Sequence, residues 1–384
     1  MLNFAFTEEQ EQLRKTLREF AQKELLPNYT KWDREKTFPF ETWKKMGQLG
    51  LTGLRVHSEY GGIGADCITT GIAAEEVGKG DFNAAYAVML NGLIGEILQA
   101  HAAEDVKKTW LQPMAEGNRL LAIAITEPGA GSDAARIKTR AVRKGDEYVI
   151  SGEKSGISLA RVAHAFLIFA KTEPDAGVRG VSVFLVPRNS DGIEIQGYED
   201  MGNVPIGRGS VFLDQVRVPV EYRIGAENQG FYQIMNGFDL SRVLIALQCI
   251  GAAEQTLTET MEHVKERHAF GQPLAKFEGV SFPIAETHTW LEMARWLCYR
   301  TLWLRDQGLS HTKEAAMCKW IGPSIAAKAI HECLLLNGHY GYTKEMPIEQ
   351  RLRDVIGLEI GDGTAQIQKI IIARELLGKE FKPY

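Results

Sequence analysis

The stretch Ile360-Gly361-Asp362-Gly363-Thr364-Ala365-Gln366 joins reactive side chains to a backbone that lets a ligand approach them. A single carboxylate, Asp362, stands between two glycines, so the main chain can turn through positive φ and a bound molecule can come close. The Thr364 hydroxyl and the Gln366 amide are groups suited to holding a partner. Taken alone, Gly-Asp-Gly is also a plain turn. In a second stretch, Ala124-Ile125-Thr126-Glu127-Pro128-Gly129-Ala130-Gly131-Ser132-Asp133, most side chains are small. They leave main-chain N–H groups and the Thr126 and Ser132 hydroxyls free to face a polar, phosphorylated ligand. The bland alternative is a loop of no special purpose.

The chain has length enough to frame both stretches, since 384 residues point to two or three packed domains. A 45% apolar and 24% charged composition is ordinary for a soluble globular protein, and a net charge of −5 gives no basic footprint for nucleic acid or an anionic membrane. No run approaches 18 apolar residues, and Met1-Leu2-Asn3-Phe4 leads straight into an acidic stretch. Neither a secretory signal nor an Arg-rich transit peptide is expected. Cys67, Cys249, Cys298, Cys318 and Cys333 form no CxxC pair and read as buried thiols of a reducing compartment, so the expected location is cytoplasmic. His331-Glu332 lacks a histidine at i+4, so no zinc helix and no metal site is expected.

Residues 1–119 read as helical. Thr7 is a good N-cap with Gln10 at the capping-box position, and Leu13, Leu17, Phe20 and Ala21 mark one buried face. Phe38-Pro39 opens a second helix that stops near Gly50, and further helices cover 68–78 and 82–101. Glu59-Tyr60-Gly61-Gly62-Ile63-Gly64 follows no strand and lacks a complete G-x-G-x-x-G, so it is a turn rather than a phosphate loop. Residues 120–225 change to period two. A hairpin turns at Lys144-Gly145-Asp146, and strands are expected over 165–170, 181–186, 193–196 and 210–218. Residues 226–384 are helical again. Trp290, Ala294, Leu297, Thr301 and Leu304 form one stripe, and Met293, Trp296, Arg300 and Trp303 a second, as expected of a helix covered on most sides by a bundle plus another domain or subunit.

The string 124–133 closely resembles the signature of the acyl-CoA dehydrogenase family, and four other blocks agree in order. Phe212-Leu213-Asp214-Gln215-Val216-Arg217-Val218-Pro219 resembles its F-x-D-x-V-x-V-P strand, and Gly225-Ala226-Glu227-Asn228-Gln229-Gly230-Phe231 its G-x-E-x-x-G-F entry into the C-terminal helices. Arg267-His268-Ala269-Phe270-Gly271-Gln272-Pro273-Leu274 resembles its R-x-x-F-G-x-P-L turn. Residues 360–366, with Arg353-Asp354 before and Gln366-Ile367-Gln368 after, match its final signature. The resemblance implies an α+β multidomain fold, with a helical N-terminal domain, a middle β-barrel-like domain and a C-terminal four-helix bundle. It also implies FAD, an acyl-CoA substrate, a homo-oligomer (a dimer of dimers) and an electron-transferring flavoprotein as acceptor. In such enzymes a carboxylate removes the α-proton while the β-hydrogen leaves as hydride to flavin N5.

Residue by residue, the resemblance places the main chain of Ile125 and Thr126 against the flavin ring. Ser132 falls near the pyrophosphate and the CoA arm, and Ser158 near N5, with Gly131 and Ile157 completing that side. Arg267 and Phe270 would reach a neighbouring subunit's FAD, and Thr364 and Gln366 its adenosine end. Asp239 and Arg242, three apart on one helix face, would meet the CoA adenine and pantetheine region, with Gly363 beside the substrate; an intrahelical ion pair is the alternative for Asp239 and Arg242.

Three departures matter. The family's usual base is glutamate where Asp362 stands, and the alternative base position is Ser241, so the resemblance assigns the base to Asp362. Gly156 replaces a tryptophan beside the flavin and Ser158 a threonine, which leaves room or admits another side chain. Leu335-Leu336-Asn337-Gly338-His339-Tyr340-Gly341-Tyr342 lacks the glutamine and one glycine of Q-x-x-G-G-x-G-Y, which bears on contacts to the partner's FAD. Aspartate is about 1.5 Å shorter than glutamate. With Gly156, this points to an acyl group bulky near the α-carbon, cyclohexane-1-carboxyl-CoA being the sharpest expectation. The alternatives are a branched or short straight acyl-CoA, an oxidase using O2, and a binding or assembly protein that has lost catalysis.

Overall fold

The computed structural model describes residues 5–381, so the opening residues read above for targeting lie outside it. Helix α1 (Glu8–Phe20) starts at the expected capping box: Thr7 Oγ1 accepts from Gln10 N at 3.2 Å and Gln10 Oε1 from Thr7 N at 3.1 Å. After α2 (Tyr29–Glu35) and α3 (Phe40–Gln48), Asp66 and Asp81 cap α4 (Cys67–Gly80) and α5 (Phe82–His101), accepting from Thr69 N at 2.6 Å and Ala84 N at 2.8 Å. Such caps satisfy N–H groups that the first helical turn leaves unpaired. Helix α5 is buried around most of its circumference, as its Ala, Val, Leu and Ile content requires, and so runs through the interior. Short segments α6 (Glu104–Val106) and α7 (Gln112–Ala115) lead into the sheet.

The strands are β1 (Leu121–Ala124), β2 (Arg140–Lys144), β3 (Glu147–Ile157), β4 (Ala165–Lys171), β5 (Val181–Pro187), β6 (Ile193–Gly197), β7 (Gly209–Pro219) and β8 (Arg223–Ile224). They form one eight-stranded sheet whose hydrogen-bonded path runs β6-β7-β3-β2-β4-β5-β8, with β1 parallel to β4. The β2–β3 hairpin pairs Lys144 with Glu147 across Gly145-Asp146, and Gly145 takes φ +65°, which a two-residue turn needs. Strands β4 and β5 are buried on both faces, matching their unbroken apolar runs. The β3–β7 ladder shifts register between Lys154 and Ile157, re-aiming the end of β3 toward α5 and the C-terminal helices.

The remaining chain is α8 (Gly230–Glu266), a ribbon of β9 (His268–Ala269) and β10 (Gln272–Pro273), then α9 (Glu278–Asp306), α10 (Thr312–Leu336), α11 (Gly338–Gly341), α12 (Ile348–Ile360) and α13 (Ala365–Leu377). One hydrophobic core runs from Leu17 on α1 through Ile168 on β4 to Leu358 on α12, so the helical and β regions share it. The five cysteines are buried and free, as expected. On α9 the inner stripe holds Ala294, Thr301 and Leu304, while Met293, Trp296 and Trp303 face outward. Trp290 also faces outward, which corrects its placement on the inner stripe. Among the described residues no helix is long and apolar enough to cross a membrane.

Candidate active site

Helix α12 ends at Ile360, and the chain passes through Asp362 at φ +55° and Gly363 at φ +88° before Thr364 caps α13 by accepting from Ile367 N at 3.4 Å. Positive φ is uncommon outside glycine but tolerated by aspartate. The φ at Gly363 favours glycine, and a Cβ there would lie 2.7 Å from Nε2 of Gln368 and displace that amide. Two buried side chains pin the loop. The Lys319 ammonium donates to the carbonyls of Leu358 at 2.7 Å and Gly363 at 3.2 Å, and Gln368 Nε2 donates to Gly363 O at 3.1 Å.

The half-buried Asp362 carboxylate accepts from the Tyr86 hydroxyl of α5 at 3.4 Å, and that hydroxyl lies 3.2 Å from Ser158 Oγ at the end of β3. Burial pushes the Asp362 carboxyl above the ordinary aspartate range, although Lys319, the Tyr86 hydrogen bond and Arg242 each pull it back. A carboxylate so placed can accept a proton and hold it, as a base must.

The loop after β1 is fixed from beneath. Lys154, fully buried on β3, donates to Ile125 O at 2.9 Å and to Glu127 Oε1 at 2.8 Å, and the Glu127 carboxylate accepts from Lys138 N at 2.5 Å and Thr139 N at 2.9 Å. Burial pushes the Lys154 ammonium down to about 8, while Lys154 and these donors hold Glu127 below the usual glutamate range despite its own burial. Both partners stay ionised at neutral pH. Above this anchor Thr126, Gly131 and Ser132 are exposed, and a Cβ at Gly129 or Gly131 would meet nothing within 4 Å. Ile157 is buried, so it offers the site only its main chain.

The space left by the missing indole is not empty. Gly156 takes φ +64°, and its Cβ would lie 3.3 Å from Nη2 of Arg208, whose Nη1 is 3.4 Å from Asp200. Gly156 N donates to the Tyr198 hydroxyl at 3.2 Å. On α8, Arg242 and Asp239 pair at 2.6 Å, and Asp239 also accepts from Thr312 Oγ1 at 2.6 Å, so the intrahelical ion pair exists. Buried Arg242 Nε keeps no hydrogen-bond partner among the described residues. Ser241 donates to Phe238 O at 3.1 Å. Arg267, Gln366 and Phe270 (96% exposed) stand at the surface. The fold thus gathers Asp362, Ser158 and Arg242, and leaves Arg267 and Phe270 on the outer ribbon.

Tyr86, Lys319, Lys154 and Arg208 were not anticipated as site residues. Lys154 alone carried a signal, a lysine within a strand beside the phosphate-type loop.

The acyl-CoA dehydrogenase N-terminal, middle and C-terminal domain families match residues 7–118, 122–216 and 228–377. A short-chain specific acyl-CoA dehydrogenase of Clostridium acetobutylicum is 37% identical over 98% of this chain and 100% of its own length. A subunit of the caffeyl-CoA reductase-Etf complex of Acetobacterium woodii is 35% identical over 97% and 100%. Butyryl-CoA dehydrogenase from Megasphaera elsdenii superposes with a TM-score of 0.94 at 30% identity, covering 98% of this chain and 100% of that one. These likenesses define an FAD-dependent oxidoreductase acting on CH–CH bonds. The chain belongs to the acyl-CoA dehydrogenase family.

The residues present fit FAD. The loop over Lys154 exposes hydroxyls and main chain with open space at two glycines, and the Ser158 hydroxyl is half-buried at the end of β3. Among the described residues no group of three or more His, Cys, Asp or Glu is arranged to hold a metal.

Proposed function

We propose that Asp362 is the base of an α,β-dehydrogenation. One observation carries this reading: a half-buried carboxylate on a pinned loop, raised in pKa, linked through the Tyr86 hydroxyl to Ser158. The protein oxidises an acyl-CoA thioester, the activity of its family. Bound FAD supplies the hydride acceptor. Asp362 takes the α-proton and Gly363 lies against the thioester. Arg242 offers its spare Nε–H to the CoA arm while remaining paired to Asp239. Ile125, Thr126, Gly131, Ser132, Ile157 and Ser158 line the cofactor. Thr364, whose oxygen caps α13 but whose O–H is free to donate, and Gln366 hold the adenosine end of the neighbouring subunit's cofactor. Arg267 and Phe270 serve the neighbouring subunit's cofactor.

Cyclohexane-1-carboxyl-CoA, or another ring or branched short acyl-CoA, is the proposed substrate. A reacting group misplaced by about 1 Å costs roughly a hundredfold in rate, so a short base favours an acyl group held close to it. Arg208 now stands beside Gly156, so this substrate reading rests on Asp362 alone. The second reading is a short straight-chain substrate, which the name of the Clostridium acetobutylicum relative favours. The proposed acceptor is an electron-transferring flavoprotein, supported by the name of the Acetobacterium woodii relative. A cytoplasmic homotetramer is proposed from the free buried thiols and the exposed Trp290, Met293, Trp303, Leu335 and Tyr342 of the C-terminal helices.

The test is anaerobic turnover of purified holoenzyme with an artificial dye across cyclohexane-carboxyl, branched and straight-chain acyl-CoAs. Turnover highest on the ring supports the proposal. Turnover confined to straight chains selects the second reading, and peroxide formation only in air would show an oxidase.

A further inference from the structure

The Tyr86 ring is buried on α5, with 6% of the residue exposed, and its hydroxyl bridges Asp362 Oδ2 and Ser158 Oγ at 3.4 and 3.2 Å. A phenol has one proton to donate and can accept as well, whereas an ionised carboxylate only accepts. The direction of the chain is therefore fixed while Asp362 is ionised: Ser158 donates to Tyr86, and Tyr86 donates to Asp362. We propose that Tyr86 is a positioning residue for the base, holding the short Asp362 carboxylate toward the α-carbon and staying hydrogen-bonded in both of its protonation states. The proposal rests on the reading of Asp362 as base.

When the α C–H bond breaks and its proton forms the new O–H of Asp362, the carboxylic acid becomes a donor. The Tyr86 oxygen can then accept from it while the phenol proton turns to Ser158. Each member keeps a hydrogen bond within the trio, the Ser158 O–H is released to turn out of it, and no further proton has to enter. Carboxylates without such a partner would swing freely, and a base one bond too short has the least tolerance for that. The bond is long for O–H···O, as hydrogen bonds at ligand-free catalytic groups often are before substrate closes the site. Helix α5 suits this task because it is encased in the core, so the ring cannot drift.

The charged groups facing Asp362 are Lys319 from α10 and Arg242 from α8; Arg208 bears on Tyr86, while Glu359 and Cys249 bear on Lys319. None of these cations touches the Asp362 oxygens in a hydrogen bond, so Tyr86 is the direct donor among the described residues.

Tyr86→Phe keeps the ring and removes the hydroxyl. In the holoenzyme we expect kcat to fall about tenfold or more with KM within about twofold, the loss of one hydrogen bond to a charged group. The acid limb of the kcat/KM profile should move to higher pH, because a donor to the ionised form is gone. An infrared difference titration of the substrate-free holoenzyme, referenced to Asp362→Asn, should show the Asp362 carboxyl titrating higher in Tyr86→Phe than in wild type, with no turnover involved. If neither the acid limb nor the carboxyl titration moves, the proposal is overturned. If Asp362→Ala itself retains near-normal turnover, the base reading fails, and the carboxyl titration still decides whether Tyr86 holds that carboxylate.

Discussion

The Lys319 ammonium lies 2.7 Å from the Leu358 carbonyl and 3.2 Å from that of Gly363, so one buried cation ties the last turn of α12 to the residue after Asp362. Lys319→Met leaves both carbonyls without this donor and removes a positive charge that holds Asp362 down. Turnover should fall more than about tenfold, with the acid limb displaced to higher pH. Unfolding free energy should change by no more than about 3 kcal/mol. Steady-state pH profiles beside denaturant unfolding separate the two effects.

Lys154 and Glu127 make a buried pair beneath the cofactor loop. Lys154→Met leaves a buried carboxylate uncompensated and should cost about 3–5 kcal/mol, with weaker FAD retention. The pH dependence has a definite sign. With a folded pKa of about 8, below the roughly 10.4 of an unfolded lysine, the native state binds fewer protons between these values. This group therefore makes stability rise with pH from about 8 to about 10.4. Urea titrations across that range should show the rise in wild type and lose it in the variant.

Gly156 and Arg208 should be energetically coupled. Gly156→Trp places a side chain on a φ of +64° and into the Arg208 guanidinium. Backbone strain of about 1–2 kcal/mol should remain whatever the neighbour, whereas the steric part should be relieved by Arg208→Ala. A double-mutant cycle on unfolding free energy should give a coupling of more than about 0.5 kcal/mol. Additivity would show that Arg208 does not hold that space.

Phe270, 96% exposed and at φ +51°, is expected to be covered by a second copy of the chain. Phe270→Asp should shift the sedimentation profile toward smaller species and lower the flavin retained on gel filtration. An unchanged oligomer with full flavin content would count against a shared cofactor site.

Local signals in the sequence translated directly into structure. The Thr7–Gln10 box, the Gly145 hairpin and the α–β–α order appear because caps, turns and periodicity act over a few residues. The site was legible where a loop carries it, at 124–133 and 360–366. Tyr86 was not, because a tyrosine in a largely apolar, buried helix looks like any core aromatic until the fold brings β3 and the α12–α13 loop to its hydroxyl. Lys319 and Arg208 were hidden for a similar reason. Their partners lie 39 and 52 residues away, at Leu358 and Gly156, and no spacing rule connects them. Of the two alternatives at Gly156, room or another side chain, the sequence could not name Arg208, which reaches that position from a distant segment.

Removal of the α-proton by Asp362 is tested most directly by turnover of Asp362→Ala beside Asp362→Glu and wild type. A positioned base contributes about 10²–10⁴ in rate, so Asp362→Ala should lose at least that much on the best substrate while keeping FAD. Asp362→Glu should gain on straight-chain thioesters and lose on the ring. Retention of most activity by Asp362→Ala, with FAD bound, would show that Asp362 is not the base.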